Sequence, residues 1–216
     1  MTTLVVYAHP ERNACHNALV LDEVLAWLKS KGIRHSLIDL YRDGFDPSLP
    51  SAEYKNRKHA RLVKKYQKMI SGSEKLVFIH PVWWYSQPAI LKGFFDRVFT
   101  AGFAFSFRKM PGWMKLSAEL FKHFMSLGFL YPVFARMLPV KKRLAGRKAL
   151  VINSFGGNEA GDILFGRTPE NSCDRAVLNF CGVSPVLRVN WYNARKPGMP
   201  KEIRKRIREK LERLHQ

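Results

Sequence analysis

Five short apolar runs, separated by segments of helical pattern, constrain this chain more than any other feature. They are Leu4–Ala8, Ser36–Leu40, Lys75–His80, Ala149–Asn153 and Val186–Asn190. Near-continuous apolar runs of this length suit strands buried on both faces, as in a parallel sheet. Helical spacing fills the gaps: residues 17–30 place Ala18, Leu21, Val24, Leu25 and Leu28 on one face, closed by Lys31-Gly32. Further helices are expected over 51–71, 90–99, 173–181 and 201–214. Strands alternating with helices imply an α/β fold, a doubly wound five-stranded parallel sheet with helices on both faces. The 216 residues suit one domain over 1–216, with an apolar, basic insertion at about 108–148.

In such sheets ligands bind at the carboxyl ends of the strands. Three loops there carry candidate chemistry. After the third strand come Pro81, Val82, Trp83, Trp84, Tyr85, Ser86, Gln87 and Pro88. Two prolines stiffen this backbone, and the three aromatics suit a flat, apolar ligand such as an isoalloxazine ring. Tryptophans near a strand end are equally often ordinary core. After the first strand, residues 7–17 (Tyr-Ala-His-Pro-Glu-Arg-Asn-Ala-Cys-His-Asn) enter a helix N-terminus, where free N–H groups and the dipole favour a phosphate. His9, Arg12 and Asn17 can add donors. After the fourth strand, Ser154-Phe155-Gly156-Gly157 permits close backbone approach to a ligand, although an ordinary turn also favours paired glycines.

The run Pro-Val-Trp-Trp-Tyr-Ser-Gln-Pro-Ala-Ile-Leu-Lys-Gly-Phe-Phe-Asp-Arg-Val-Phe at 81–99 resembles the flavin-binding segment of the NAD(P)H quinone reductases. That family includes two-electron quinone reductases and ancillary subunits of bacterial potassium-efflux systems. The resemblance implies a flavodoxin-like fold, a homodimer, and a bound FMN or FAD with NAD(P)H as co-substrate and a quinone-like electron acceptor. It places Pro81, Val82, Trp83, Trp84 and Tyr85 along the ring. Trp84 and Tyr85 then wall the acceptor pocket as the catalytic candidates. Ser154, Phe155, Gly156 and Gly157 line another side of the ring, and His9, Cys15, His16 and Asn17 hold the phosphate. Cys15 stands where the family has Ser, and a thiol is the poorer donor. Some relatives carry a Tyr and a His beyond the Gly-Gly pair. Neither stands in an aligned place in Gly161–Arg167, which puts the proton-handling part of the mechanism in question. Asn179–Val183 resembles the turn before the last strand, and Arg204 falls near the position of an arginine at the adenine end of FAD. No metal is expected.

Lys and Arg total 37 against 17 Asp and Glu, a formal net charge of +20. Such a balance favours polyanions, yet no base-reading motif with interleaved aromatics is present, so no specific nucleic acid is expected. Many cations fall in or beside 108–148, next to apolar bulk such as Leu116, Leu120, Phe124 and Leu127. That mixture fits a segment docked on an anionic membrane surface, or a lid or dimerisation arm. Three scattered cysteines, Cys15, Cys173 and Cys181, imply a reducing compartment. The start reads as a strand without a basic leader. A cytoplasmic protein, peripheral on the inner membrane face, is expected. The rival to an enzyme is a membrane-associated regulatory module of a transport system with little turnover.

Overall fold

The computed structural model describes residues 2–13, 15–56, 58–109 and 140–216. A five-stranded parallel sheet is built from β1 (Thr2–Tyr7), β2 (Arg34–Asp39), β3 (Lys75–Val82), β6 (Lys148–Phe155) and β7 (Val186–Trp191), in the order β2-β1-β3-β6-β7. A separate antiparallel pair joins β4 (Phe105–Phe107) to β5 (Val140–Lys142). The helices are α1 (His16–Ser30), α2 (Ser51–Asn56), α3 (Arg61–Ser71), α4 (Ala89–Val98), α5 (Glu159–Leu164), a π-helical α6 (Glu170–Asn179) and α7 (Lys201–His215). All five expected strands are present. The chain-order reversal falls between β1 and β3, where an open sheet leaves a crevice.

Alternate side chains of each strand point to opposite faces, and both faces are buried. Leu4 and Val6 join Leu76, Phe78, Val151, Phe94 and Phe95 in one core beneath α3, α4 and α6. Val5 and Tyr7 join Val77, Ile79, Leu21, Leu28, Ile207 and Leu211 in the other, under α1 and α7. Burial on both faces is the physical reason the central strands β1, β3 and β6 read as near-continuous apolar runs, while the edge strands β2 and β7 are only partly buried.

Four differences from the expected elements have identifiable causes. The single helix expected over 51–71 is two helices, with 58–60 non-helical. Nothing local breaks the run, since it lacks proline and glycine. The Glu53 carboxylate instead bonds the Ala60 amide at 3.0 Å and the Arg97 guanidinium at 2.7 and 3.0 Å. Second, β3 runs two residues further than expected, to Val82, because Pro81 and Val82 stay paired with Ser154 and Phe155 of β6; proline's missing N–H is tolerated at a strand end. Third, α5 and the β4–β5 pair were not anticipated, being too short for periodicity to register. Fourth, the expected insertion falls largely on 110–139, outside the described residues, while 140–142 is β5 and 148 opens β6. Among the described residues, no helix is long and apolar enough to cross a membrane.

Candidate active site

Adjacent strands β3 and β6 end in register at Val82 and Phe155. Beyond them the chain opens a cleft of about 320 Å³ lined by Val82, Trp83, Trp84, Tyr85, Phe155, Gly156, Gly157 and Asn158. Its first wall is a tight reversal. Trp83 and Ser86 exchange both backbone bonds, Trp83 N–H to Ser86 O at 3.1 Å and Ser86 N–H to Trp83 O at 3.0 Å. The two residues between them are left-handed, Trp84 at φ 51° and Tyr85 at φ 53°. Positive φ at both central positions is the type I′ geometry that ordinarily calls for Asn-Gly. Bulky residues there are strained, and such strain collects at functional sites. The turn throws the Trp84 ring outward, 96% exposed. Tyr85 instead lies on Phe165, ring centroids 4.2 Å apart.

The second wall is the Phe155–Asn158 loop. Phe155 stacks on Tyr192 at 4.7 Å. Tyr192 donates to Asp162 Oδ2 at 2.7 Å and accepts from Asn190 at 2.9 Å; burial pushes its phenol up to about 12, so it keeps its proton. A Cβ added at Gly156 or Gly157 would meet nothing within 4 Å, so a side chain there would project into open space. Asn158 caps α5 through its Oδ1, which accepts from Gly161 N–H at 3.0 Å.

The loop after β1 meets both walls. The His9 ring lies 6.1 Å from Trp83, and its Nδ1 lies 3.0 Å from both the N–H and the carbonyl oxygen of Glu11. Cys15 caps α1: its sulfur accepts from Ala18 N–H at 3.3 Å and donates to the Glu11 carbonyl at 3.2 Å. Asn17 is 2% exposed and donates to Ser154 Oγ at 2.9 Å, tying the loop to β6. Its Oδ1 has no partner among the described residues, an unsatisfied acceptor of the kind that marks a functional site. Three side chains are otherwise engaged. The His16 ring packs edge-on against Trp191 at 4.8 Å and donates to the Lys196 carbonyl at 2.8 Å, which leaves its backbone N–H in the first turn of α1 for an anion. Arg12 folds inward over Tyr7 to pair with Asp39 at 3.4 Å, so it is not an outward donor. Arg204 pairs with Glu23 at 3.1 Å, joining α7 to α1.

Sequence reasoning passed over Asn158, Asp162, Tyr192 and Arg195. Tyr192 and Arg195 follow the carboxyl end of β7, and the strand-end rule applied to that strand would have found them. A larger apolar cleft, about 440 Å³, lies beside the C-terminal halves of α4 and α6, lined by Phe95, Phe99, Val177 and Phe180 among others. The smaller cleft is the candidate because it sits at the strand ends with polar backbone in its wall.

The family described by a flavodoxin-like fold matches residues 1–216. The chain belongs to it. A Haemophilus influenzae protein named as an NAD(P)H oxidoreductase is 26% identical over 131 residues, covering 59% of this chain and 65% of that protein. NAD(P)H dehydrogenase [quinone] 1 of Cavia porcellus is 31% identical over 127 residues, covering 50% of this chain and 46% of that protein. The aligned region thus spans about half to two thirds of these relatives. Among solved structures, a Streptococcus mutans protein is similar at TM-score 0.73 and 27% identity, with 99% of this chain and 98% of the other covered. An FMN-dependent NADH-azoreductase of Bacillus anthracis shares the fold at TM-score 0.67 and 19% identity, with both chains fully covered.

The residues fit a flavin. Aromatic walls suit its faces, the strand-end backbone suits its polar rim, the uncapped first-turn N–H groups of α1 suit the ribityl phosphate, and the orphaned Asn17 acceptor suits a hydroxyl of the ribityl chain.

Proposed function

We propose that this protein is a flavin-dependent NAD(P)H oxidoreductase that passes two electrons to a quinone or similar acceptor. The observation that carries the reading is the strained type I′ turn, which holds the Trp84 ring out beside a glycine-walled slot at the sheet's carboxyl edge. The printed names of the quinone reductase relatives support it. When bound, the flavin supplies hydride and two-electron chemistry that no side chain offers.

The chain's own residues do the rest. Val82 to Tyr85 and Phe155 to Asn158 orient the ring and exclude water from its buried side. The Trp83–Ser86 bonds keep the aromatic wall rigid, so less ordering is needed on binding. The first-turn amides of α1, with the His9 ring beside them, would hold the phosphate. Trp84 and Tyr85 leave an aromatic surface on which a nicotinamide and then a planar acceptor can stack in turn. FMN is favoured over FAD, because Arg204, the candidate for the adenine end, is occupied by Glu23. Homodimerisation and docking on an anionic membrane surface are further parts of the proposal. The 108–148 region that motivates the second lies mostly outside the described residues.

Titrating purified protein with FMN and FAD, followed by an NADH and NADPH oxidation assay with a soluble quinone, tests the reading. Tight flavin uptake with quinone-dependent turnover is expected. Failure to take up either flavin at saturating concentration removes it.

A further inference from the structure

Beyond β7 the chain lays a strip of backbone along the ring-gripping loop and holds three successive carbonyls of it. Ala194 N–H donates to Phe155 O at 2.8 Å, and Asn193 N–H donates to Gly157 O at 2.9 Å. Between them, Arg195 Nε donates to Gly156 O at 2.6 Å. The strip can bend to do this because Asn193 is left-handed, at φ 53°, a conformation asparagine tolerates. Within a trans peptide the C=O and N–H point in opposite directions. Fixing the carbonyls of 155, 156 and 157 towards the strip therefore turns the N–H groups of Gly156, Gly157 and Asn158 to the other side. Among the described residues none of these three amides has a hydrogen-bond acceptor, and all three residues line the cleft.

We propose that Arg195 is a positioning residue for the reaction. It aligns this row of N–H groups and, through the Gly156–Gly157 peptide, polarises the Gly157 N–H, the donor that would serve the pyrimidine edge of a bound flavin. The inference rests on the function proposed above and deepens it. Two electrons and one proton leave the ring with a negative charge on its pyrimidine side. Donors fixed in advance where charge develops stabilise it without reorganisation. A guanidinium bonded to the far end of a peptide strengthens that peptide's donor, because hydrogen bonds in series polarise one another and charge-assisted ones are the stronger kind. Gly161–Arg167 has no Tyr and His pair in the aligned place to carry that charge, and a backbone donor backed by Arg195 supplies the missing role.

The test compares wild type with Arg195→Gln and Arg195→Lys, each loaded with FMN, by dye-equilibrated reduction potential. It adds the Gly157 amide proton shift in the flavin-free proteins. Glutamine keeps a donor but loses the charge; binding of reduced relative to oxidised FMN should weaken about tenfold, a potential about 30 mV more negative. Lysine should recover most of that shift, and the KM for NADH should stay within about twofold. In the flavin-free proteins the Gly157 amide resonance should move upfield in the glutamine variant alone. A potential within about 9 mV of wild type for Arg195→Gln, a twofold change in relative affinity, equal shifts for both variants, or an unmoved Gly157 resonance overturns the inference while leaving the function intact. Wild type that takes up no flavin overturns both.

Discussion

Gly93→Ala is the sharpest test of how α4 is seated under the candidate site. Gly93 lies in the middle of α4, where alanine is worth about 1 kcal/mol more than glycine in helix propensity. The tertiary structure opposes that gain. A Cβ at Gly93 would stand 2.3 Å from the Pro47 carbonyl oxygen and 2.5 Å from Pro47 Cα. These are backbone atoms, so no rotamer change clears them, and the 45–50 loop must withdraw by roughly 1 Å to reach ordinary contact distance. That loop is pinned on both sides. Phe45 is buried in the core, and Arg97 bonds the Asp46 carbonyl while its guanidinium lies 5.3 Å from the Phe45 ring centre. Overpacking costs about 1–3 kcal/mol, and loosening the charged bond to Asp46 adds roughly 1–2 kcal/mol. Set against the helix gain, the net loss is about 1–4 kcal/mol. For a domain of this size that lowers Tm by roughly 2–16 °C. Thermal and urea unfolding of the flavin-free protein measure it, with Lys92→Ala on the exposed face as the control. A Gly93→Ala protein as stable as wild type, or more so, would refute the reasoning.

Trp84→Gly should separate stability from function: relief of the left-handed strain, less the added entropy of glycine in the unfolded chain, raises stability by about 0.5–1 kcal/mol, while loss of the exposed ring weakens FMN binding roughly threefold to tenfold, both readable by unfolding and by flavin titration. Glu53→Ala strands the buried Arg97 guanidinium and should cost about 3–5 kcal/mol in urea unfolding; because Arg97 holds the Glu53 carboxyl below its ordinary range, the pair's contribution is full above that range and is lost as pH falls through the lowered value. His80 is wholly buried, and burial pushes its imidazole from 6.5 down to about 4. Below pH 6.5 the unfolded chain takes up a proton that the folded chain refuses until about pH 4, so stability falls across that window by roughly 3 kcal/mol. His80→Leu should flatten this acid limb relative to wild type, and an unchanged limb in the variant would show that His80 does not set it.

Much of the fold was legible in the sequence because its physics is local and periodic. Strands buried on both faces are apolar at most positions, so Leu4–Ala8 and Ala149–Asn153, apolar up to its last residue, could be read without any contact information. The aromatic segment from Pro81 to Pro88 was legible because three large rings at a strand end are unusual where loops are polar. The break between α2 and α3 was not legible, because Glu53 makes it by pairing with Arg97 from a distant helix. The inward turn of Arg12 was hidden for the same reason, since its partner Asp39 lies on another strand. Arg195 was hidden because its role comes from one bond to a carbonyl 39 residues away.

Hydrophobic periodicity, which depends only on neighbours along the chain, was enough to determine the strands, their order of succession with helices and the three loops at the ligand edge. Which donors those loops present was decided only in three dimensions. The direction of a peptide N–H is set by what holds the carbonyl behind it, and here that is a strip of chain contributed by another strand.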